Sequence, residues 1–221
     1  MNQESIDIDY NTNRNIVLLY LYLGIKRFFD IIFSLIGLVF LLPLMLIIKI
    51  ANVINKDFNP IIYSQDRIGK NGKIFKFYKF RSMVPNADQL LSEILEKDEQ
   101  LAQEYKINKK LKNDPRITKI GKVLRKTSLD ELPQLINIFL GQMSFVGNRP
   151  YMLIEKEDMK DYYNSIVKSK PGLTGLWQVM GRSDITFDER CKIEAKYSSE
   201  MSLSLDIKIF FKTFLVVLKG L

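Results

Sequence analysis

Residues 127–135 read Thr-Ser-Leu-Asp-Glu-Leu-Pro-Gln-Leu, with the adjacent carboxylates Asp130 and Glu131 at their centre. Because proline lacks an N–H, Pro133 fits a helix only within its first turn, so a helix is predicted to begin here with Ser128 or Asp130 as its N-cap. The pattern Ser-x-x-Glu also fits a capping box, which would do no more than start a helix. These residues alone leave two interpretations open, a simple helix start and a functional carboxylate pair.

The composition limits the chemistry that such a pair could perform. The 221 residues suffice for one domain with a hydrophobic core, and the net charge of +8 indicates anionic partners such as phosphate groups, an acidic membrane surface or nucleic acid. Without any histidine, acid–base chemistry near neutral pH falls to Asp, Glu, Lys or Tyr. The single cysteine, Cys191, allows no disulfide within the chain and no cysteine-based zinc site, so a catalytic metal would be a hard cation such as Mg²⁺.

An apolar region over residues 28–50 predicts a membrane-associated segment. It follows a tail with a short apolar run, residues 1–25, and its roughly 18 consecutive uncharged residues are near the minimum for a spanning helix. Pro43 favours a break inside the helix, and basic residues at both ends favour neither orientation of a span. The prediction for residues 26–56 is a re-entrant helix-break-helix that enters one leaflet and returns, with an ordinary transmembrane helix as the alternative.

Residues 57–221 predict a mostly helical α/β domain. A turn signal at Lys70-Asn71-Gly72-Lys73 separates two β-rich runs, residues 60–63 and 74–80, and predicts a short β-hairpin. Helical patterns cover residues 88–112, 119–126, 135–140 and 205–220, and residues 143–150 and 171–179 are predicted as loops. The last helix is basic and amphipathic, which suits a membrane interface.

Several cations and one aromatic residue are candidates for binding an anionic substrate. Arg149 precedes a proline in a predicted rigid loop, and a guanidinium held in this way suits bidentate phosphate binding. Lys79 and Arg81 end the second β-rich run, where they would either face a phosphate or solvate an edge strand. Trp177, followed by Arg182, could frame a base or a sugar, although the tryptophan could equally belong to the core.

Six motifs follow one another along the chain. They are Lys26-Arg27-Phe28-Phe29-Asp30, Lys79-Phe80-Arg81-Ser82-Met83, Asp114-Pro115-Arg116-Ile117-Thr118, Ser128-Leu129-Asp130-Glu131-Leu132-Pro133-Gln134, Gly147-Asn148-Arg149-Pro150 and Pro171-Gly172-Leu173-Thr174-Gly175-Leu176-Trp177-Gln178. Their order resembles the bacterial sugar transferase family, the monotopic polyprenyl-phosphate phosphoglycosyl transferases, from residue 25 to the C-terminus. Two motifs depart from the family pattern. Asn148 replaces the first proline of Pro-Arg-Pro, which is expected to loosen that loop, and Leu42-Pro43 replaces the usual Ser-Pro of the helix break.

The resemblance implies an enzyme that transfers sugar 1-phosphate from a UDP-sugar to polyprenyl (undecaprenyl) phosphate and releases UMP. It implies action at the cytoplasmic face of the bacterial cytoplasmic membrane, in the first membrane step of capsule, exopolysaccharide, O-antigen or glycoprotein glycan synthesis. By match to the family's Asp-Glu pair, Asp130 would form a phosphosugar-aspartyl intermediate and bind Mg²⁺, while Glu131 would assist proton transfer. The residues expected to bind phosphate or substrate are Arg149, Arg81, Lys79, Arg116, Gln134, Trp177 and Arg182.

Further expectations concern assembly and partners. The chain resembles the small form of the family, which has only the catalytic domain, and its expected partners are a UDP-sugar, polyprenyl phosphate, an anionic lipid surface and a second copy of the chain in a homodimer. Nucleic acid is not expected, because only the net charge supports it and no recognised binding motif occurs. A non-catalytic membrane-surface adaptor is a further alternative, but it gives no reason for Asp130 and Glu131 to accompany Arg149.

Overall fold

The structure, a computed structural model, describes residues 3–108, 111–181 and 185–220. Its helices are α1 (Gln3–Ile54), α2 (Ala87–Lys97), α3 (Glu99–Asn108), α4 (Lys119–Lys126), α5 (Gln134–Phe139), α6 (Tyr163–Ile166), α7 (Leu176–Met180), α8 (Phe187–Glu200) and α9 (Leu203–Gly220). Its strands are β1 (Ile62–Ile68), β2 (Ile74–Phe80), β3 (Ser144–Val146) and β4 (Gly172–Thr174), and 3₁₀ turns cover Lys70–Gly72, Leu129–Glu131, Leu153–Glu155 and Lys160–Tyr162. The predicted mostly helical fold with a short β-hairpin is therefore confirmed.

Helix α1 is long, apolar and packed on the rest of the molecule along one stripe. The buried residues of this stripe are Tyr22, Asp30, Ser34, Leu41, Ile48 and Asn52. Most other apolar side chains of residues 16–54 are exposed, and this segment is long and apolar enough to cross a membrane by length and composition alone. The helix continues through Pro43, so the predicted break is not confirmed. Leu41 and Ile48 on either side of the proline belong to one buried cluster, which holds both halves of α1 against the same surface.

Strands β1 and β2 form the predicted antiparallel hairpin. Ile62 pairs with Phe80 and Ile68 with Ile74, and the turn between the strands places Asn71 and Gly72 in the left-handed region, with φ of 57° and 74°. The first strand begins later and runs further than the predicted run over residues 60–63. Its full length is set by pairing with the seven residues of β2, which the local β propensity of β1 does not reveal.

The acidic segment predicted as one helix over residues 88–112 is divided into α2 and α3. Asp98 leaves the helical region, with φ −133° and ψ 104°, and its carboxylate accepts hydrogen bonds from the N–H groups of Gln100 and Leu101. An aspartate whose carboxylate accepts hydrogen bonds from backbone N–H groups two and three residues later acts as an N-cap, and it favours a new helix start over continuation of the preceding helix.

Both predicted loops contain regular structure. Strands β3 and β4 pair in parallel, with Ser144 opposite Gly172 and Val146 opposite Thr174, and α7 follows directly. Strands of three residues carry too little alternation of apolar and polar side chains to be recognised from sequence. The pairing is decided by close backbone approach, since a Cβ on Gly147 would lie 2.3 Å from the carbonyl oxygen of Lys170.

Helix α5 is fixed from two sides. Its residues Leu135 and Ile138 share a buried cluster with Phe75 and Phe77 of β2. Helix α1 also approaches Leu135 closely at Gly37, where a Cβ would lie 2.7 Å from Cδ1 of Leu135. The apolar N-terminal helix and the hairpin therefore together set the position of the turn that precedes α5.

The predicted amphipathic C-terminal helix is present as α9 and is tied to α1 through Asp206. The Asp206 carboxylate accepts hydrogen bonds from the hydroxyl groups of Tyr22, at 2.9 Å, and Tyr197, at 2.7 Å, and it forms a short ion pair with Lys26. Because all four side chains are largely buried, this network fixes the first turn of α9 against α1.

Candidate active site

Asp130 and Glu131 lie in a 3₁₀ turn before α5 and not at a capped helix N-terminus. Ser128 has a left-handed backbone, with φ 58°, and its side chain makes no capping hydrogen bond, so the capping box is not formed. Pro133 itself is the N-cap residue of α5. Within the turn, Asp130 is buried and Glu131 is partly exposed. The interpretation of this stretch as a simple capped helix start is therefore wrong.

Lys79, near the end of β2, places its ammonium group beside both carboxylates. Its Nζ lies 3.1 Å from Oε1 of Glu131 and 3.9 Å from Oδ2 of Asp130. Burial raises the pKa of the Asp130 carboxyl, Lys79 lowers it, and the charge of Glu131 raises it again. Asp130 is thus a desolvated carboxylate whose charge is only partly balanced.

A polar cleft begins at Glu131 and collects most of the residues selected from the sequence. Its walls include Lys79, Glu131, Gln134, Arg149 and Trp177. Gln134 is almost fully buried, and its Nε2 has no hydrogen-bond partner among the residues that the structure describes. An amide donor in this position suits a phosphate or hydroxyl oxygen of a ligand.

The loop that carries Arg149 is anchored by its neighbours. Nδ2 of the buried Asn148 lies 3.0 Å from the carbonyl oxygen of Ile166 and 2.7 Å from Oγ of Ser198, and the backbone N–H of Arg149 donates to Oε1 of Glu194 at 2.6 Å. The expected loosening of this loop is therefore wrong. The asparagine amide replaces the rigidity of a proline ring with hydrogen bonds to two other elements.

Two arginines that the sequence interpretation missed lie beside Arg149. Nη1 of Arg67 donates to the carbonyl oxygen of Pro150 at 3.0 Å, and the Arg190 guanidinium lies 4.7 Å from the centre of the Trp177 ring. Burial and the charge of Arg149 lower the pKa of both guanidinium groups, that of Arg67 to about 10. Each is an isolated arginine in the sequence, and no local pattern distinguishes it from a solvated one.

Other candidate cations make structural contacts elsewhere. Arg81 donates to the Asp57 carboxylate at 2.8 Å and to the carbonyl oxygen of Pro60 at 2.7 Å, which ties the end of β2 to the segment after α1. Both oxygens of Asp114 bind the guanidinium of Arg116, at 2.8 and 2.7 Å. Neither arginine lines the cleft. The remaining candidate, Arg182, lies outside the described residues.

A second, mainly apolar groove also begins at Glu131. Its walls include Phe145 and Leu173, and it extends to Phe210 and Phe214 of α9. Both of these phenylalanines are largely exposed, so the groove opens beside the apolar surface of the molecule. The polar cleft and the apolar groove therefore meet at Glu131, next to Asp130.

The two carboxylates can serve as ligands for Mg²⁺. Within residues 3–108, 111–181 and 185–220, no group of three or more His, Cys, Asp or Glu side chains is arranged to hold a metal ion. Asp130 and Glu131 supply two carboxylates, and Mg²⁺ commonly takes one or two carboxylates from a protein and the rest of its ligands from substrate phosphates and water. The residues present therefore fit Mg²⁺ bound together with a phosphate-bearing substrate.

Comparison with known proteins places the chain in a family. The family model described as bacterial sugar transferase matches residues 21–220. The undecaprenyl-phosphate galactose phosphotransferase of Salmonella typhimurium is 46% identical over 195 residues, which cover 88% of this chain and 40% of that protein. The galactosyl transferase CpsE of Streptococcus agalactiae is 46% identical over 202 residues, covering 91% and 44%. The exopolysaccharide production protein ExoY of Sinorhizobium fredii is 43% identical over 192 residues, covering 85% and 83%.

This chain thus spans less than half the length of the first two relatives and most of the third. The matched region includes α5, the preceding carboxylate turn and every residue of the cleft named above. By the extent of the family match and by these identities, the chain belongs to the bacterial sugar transferase family.

Proposed function

We propose that this chain transfers sugar 1-phosphate from a UDP-sugar to polyprenyl phosphate and releases UMP. The observation that carries the proposal is the meeting of the polar cleft and the apolar groove at Glu131, next to Asp130. Cations and an amide in the cleft suit a diphosphate, whereas the groove suits a lipid chain. Relatives named as an undecaprenyl-phosphate galactose phosphotransferase and a UDP-glucose:undecaprenyl-phosphate glucose-1-phosphate transferase support the same pair of substrates.

In the first step, Asp130 attacks the sugar-linked phosphorus of the donor. The bond from that phosphorus to the bridging oxygen breaks, the electron pair leaves with UMP, and a phosphosugar-aspartyl intermediate remains. Lys79 favours the ionised form of the nucleophile, because its charge lowers the pKa of Asp130. Arg149 and Gln134 line the cleft where the phosphate oxygens would lie and can neutralise or bind them.

In the second step, an oxygen of the polyprenyl phosphate attacks the aspartyl phosphate and restores the Asp130 carboxylate. Glu131 borders both the cleft and the groove, so it is placed to accept the proton of a singly protonated acceptor phosphate. Dividing one displacement into two allows a water-soluble donor and a membrane-embedded acceptor to use the same carboxylate in turn.

Mg²⁺ is the proposed cofactor, held by Asp130 with Glu131 beside it. When bound with the donor, it would neutralise phosphate charge and make the phosphorus more electrophilic. The partial exposure of Glu131 leaves room for water or phosphate oxygens beside the pair.

The chain is proposed to associate with one face of the bacterial cytoplasmic membrane, the cytoplasmic face where a UDP-sugar is available. The buried stripe of α1 runs from Tyr22 to Asn52, a length of about 45 Å at 1.5 Å per residue, against a hydrocarbon core of about 30 Å. A spanning α1 would carry part of the polar domain into hydrocarbon, at high cost. We therefore propose that both ends of the apolar segment lie on the side of the domain. The re-entrant bend proposed at Pro43, where α1 is unbroken here, would form in a bilayer.

Membrane topology is testable with single cysteines at Gly24 and Asn55, near the two ends of the apolar segment, in a Cys191→Ser background. Labelling of both from the same side of sealed vesicles is expected, whereas labelling from opposite sides would contradict the topology.

Given the relative named for exopolysaccharide production, the proposed role is the first membrane step of an extracellular glycan. A homodimer is the proposed assembly, and light scattering in detergent would test it.

The activity is tested by UMP release from a panel of UDP-sugars by purified protein with Mg²⁺ and undecaprenyl phosphate. Release for at least one sugar is expected, with loss on adding EDTA and a decrease of at least about 10³-fold in Asp130→Asn. The matched control is Asp188→Asn, which removes an exposed carboxylate paired with Lys192 and should leave the rate unchanged. Equal turnover by Asp130→Asn would refute the nucleophile, and no release from any UDP-sugar would refute the proposed donor.

A further inference from the structure

Three arginines from distant parts of the chain lie close together, Arg67 and Arg149 in the walls of the cleft and Arg190 against the Trp177 ring that also lines it. Arg67 comes from β1, Arg149 from the loop after β3, and Arg190 from α8. The guanidinium groups of Arg149 and Arg190 lie 6.0 and 4.7 Å from the centre of the same Trp177 ring. Arg67 binds the carbonyl oxygen of Pro150, next to Arg149, so the three side chains form one group, called here the arginine cluster.

The arginine cluster carries more positive charge than the neighbouring carboxylates neutralise. Two carboxylates face it, Glu155 at 3.9 Å from Arg67 and Glu194 beneath the backbone of Arg149. Burial raises the pKa of Glu194 to about 7, so near neutral pH it supplies only part of a negative charge. Three cations therefore face less than two full negative charges in a desolvated place.

Each arginine also retains an unused donor. The Nε atoms of Arg67, Arg149 and Arg190 are buried and have no hydrogen-bond partner in the part of the chain that the structure describes. Buried guanidinium donors normally find an acceptor, and several that converge without one are typical of a site for an oxyanion. A structural cluster would instead be expected to satisfy these donors with backbone carbonyls, as Arg81 does with Pro60.

The arginine cluster is continuous with the carboxylate pair. Arg67 and Lys79 share the ring of Phe77, at 5.2 and 5.4 Å from its centre, and Lys79 contacts Glu131 at 3.1 Å. An anion bound at the arginine cluster would therefore lie in the same cleft as Lys79 and Glu131, next to Asp130.

We propose that Arg67, Arg149 and Arg190 form the subsite for the phosphate that leaves as nucleoside monophosphate, with Arg67 and Arg190 as binding residues not identified from the sequence. This subsite rests on the proposed function. When Asp130 attacks the sugar-linked phosphorus and the bond to the bridging oxygen breaks, the departing phosphate changes from a monoanion to a dianion. Cations fixed at that phosphate therefore stabilise the transition state more than the bound donor, which accelerates the first step.

The test compares the binding of UMP with that of uridine, which lacks the phosphate, by isothermal titration calorimetry on the full chain in detergent. Wild type is expected to bind UMP more tightly than uridine. Arg190→Gln is expected to weaken UMP binding about 10- to 100-fold, the loss of one charge-assisted hydrogen-bonding group, and to leave uridine binding unchanged. Lys192→Gln, an exposed residue on the same helix, is the matched control and should change neither.

The outcomes separate a phosphate contact from a structural role. Equal losses for UMP and uridine, or an unchanged UMP affinity, would overturn the subsite. If Arg190→Gln does not fold, Arg67→Gln carries the same comparison from β1. Turnover of a UDP-sugar is measured in parallel. If wild type turns over a UDP-sugar but shows no arginine-dependent preference for UMP over uridine, the subsite alone is refuted. If wild type shows this preference but no turnover, the subsite is supported and the proposed function is refuted.

Discussion

The Nζ atom of Lys79 lies 3.1 Å from Oε1 of Glu131, although 52 residues separate them in the chain. Strand β2 packs beside the 3₁₀ turn of residues 129–131. The Lys79 side chain extends to the carboxylate pair, and its ammonium group lies over the Phe77 ring. A cation in this position lowers the pKa of Asp130 against the effect of burial and so favours the ionised form that a nucleophile requires.

Replacing Lys79 by Gln is expected to move the acid limb of the pH–rate profile to higher pH. Lys79 lowers the pKa of Asp130, so its removal raises that pKa and leaves less ionised nucleophile at a given pH below it. The rate is expected to fall about 10-fold below neutrality and to recover in part at higher pH. Lys76→Gln, on the same strand and paired with exposed Asp66, is the control, and a profile that does not move would contradict the role of Lys79.

Phe214→Ala is expected to impair the lipid acceptor step and not the donor step. Phe214 lines the apolar groove, and loss of its ring removes part of the surface offered to a polyprenyl chain, so kcat/KM for polyprenyl phosphate should fall about 10-fold. Exchange of labelled UMP into UDP-sugar without acceptor reports the first step and should stay unchanged. Phe211→Ala, also exposed on α9 but outside the groove, should affect neither reaction. A parallel loss of exchange would show that Phe214 supports the fold instead.

Gly37→Leu is expected to displace α5 and with it the carboxylate pair. A Cβ at Gly37 would lie 2.7 Å from Cδ1 of Leu135, and a larger side chain must move that buried residue, at a cost of about 1–3 kcal/mol in the free energy of unfolding. Gly24→Leu on the same helix meets nothing within 4 Å and should change stability by no more than about 0.5 kcal/mol. Thermal unfolding in detergent and UMP release measure both effects, and identical behaviour of the two variants would show that α1 does not position α5.

Glu194→Gln is expected to remove one pH-dependent contribution to stability. Burial raises the pKa of Glu194 from 4.5 to about 7, so the folded chain holds this proton more tightly than the unfolded chain does. The resulting stabilisation is complete below pH 4.5 and is lost as the pH rises to about 7. The free energy of unfolding of wild type relative to Glu194→Gln should therefore fall across this range. The control is Glu200→Gln, an exposed substitution on the same helix, for which the difference in unfolding free energy from wild type should not change with pH. A difference between wild type and Glu194→Gln that is also independent of pH would contradict the buried position of Glu194.

Structural features that depend on residues close together in the chain were predictable from the sequence. The Asn71 and Gly72 turn defined the hairpin, the periodicity of residues 205–220 defined α9, and the motif around Asp130 and Glu131 located the carboxylate pair. The family match over residues 21–220 agrees with the motifs that suggested it. These features depend on neighbours within a few residues, through turn geometry, helical spacing or a fixed order of motifs.

The sequence by itself therefore determined the family, the helical character of the chain and the position of the adjacent carboxylates Asp130 and Glu131. Only the tertiary structure decided which cations lie at these carboxylates and in the adjoining cleft, because the contact of Lys79 with Glu131 spans 52 residues and that of Arg67 with Pro150 spans 83. Packing between distant segments also brought Arg190 to Trp177 and paired Arg81 with Asp57, whereas Arg116 pairs with Asp114 only two residues away. A guanidinium has the same local pattern in each case, and its function depends on which acceptors the fold brings within reach.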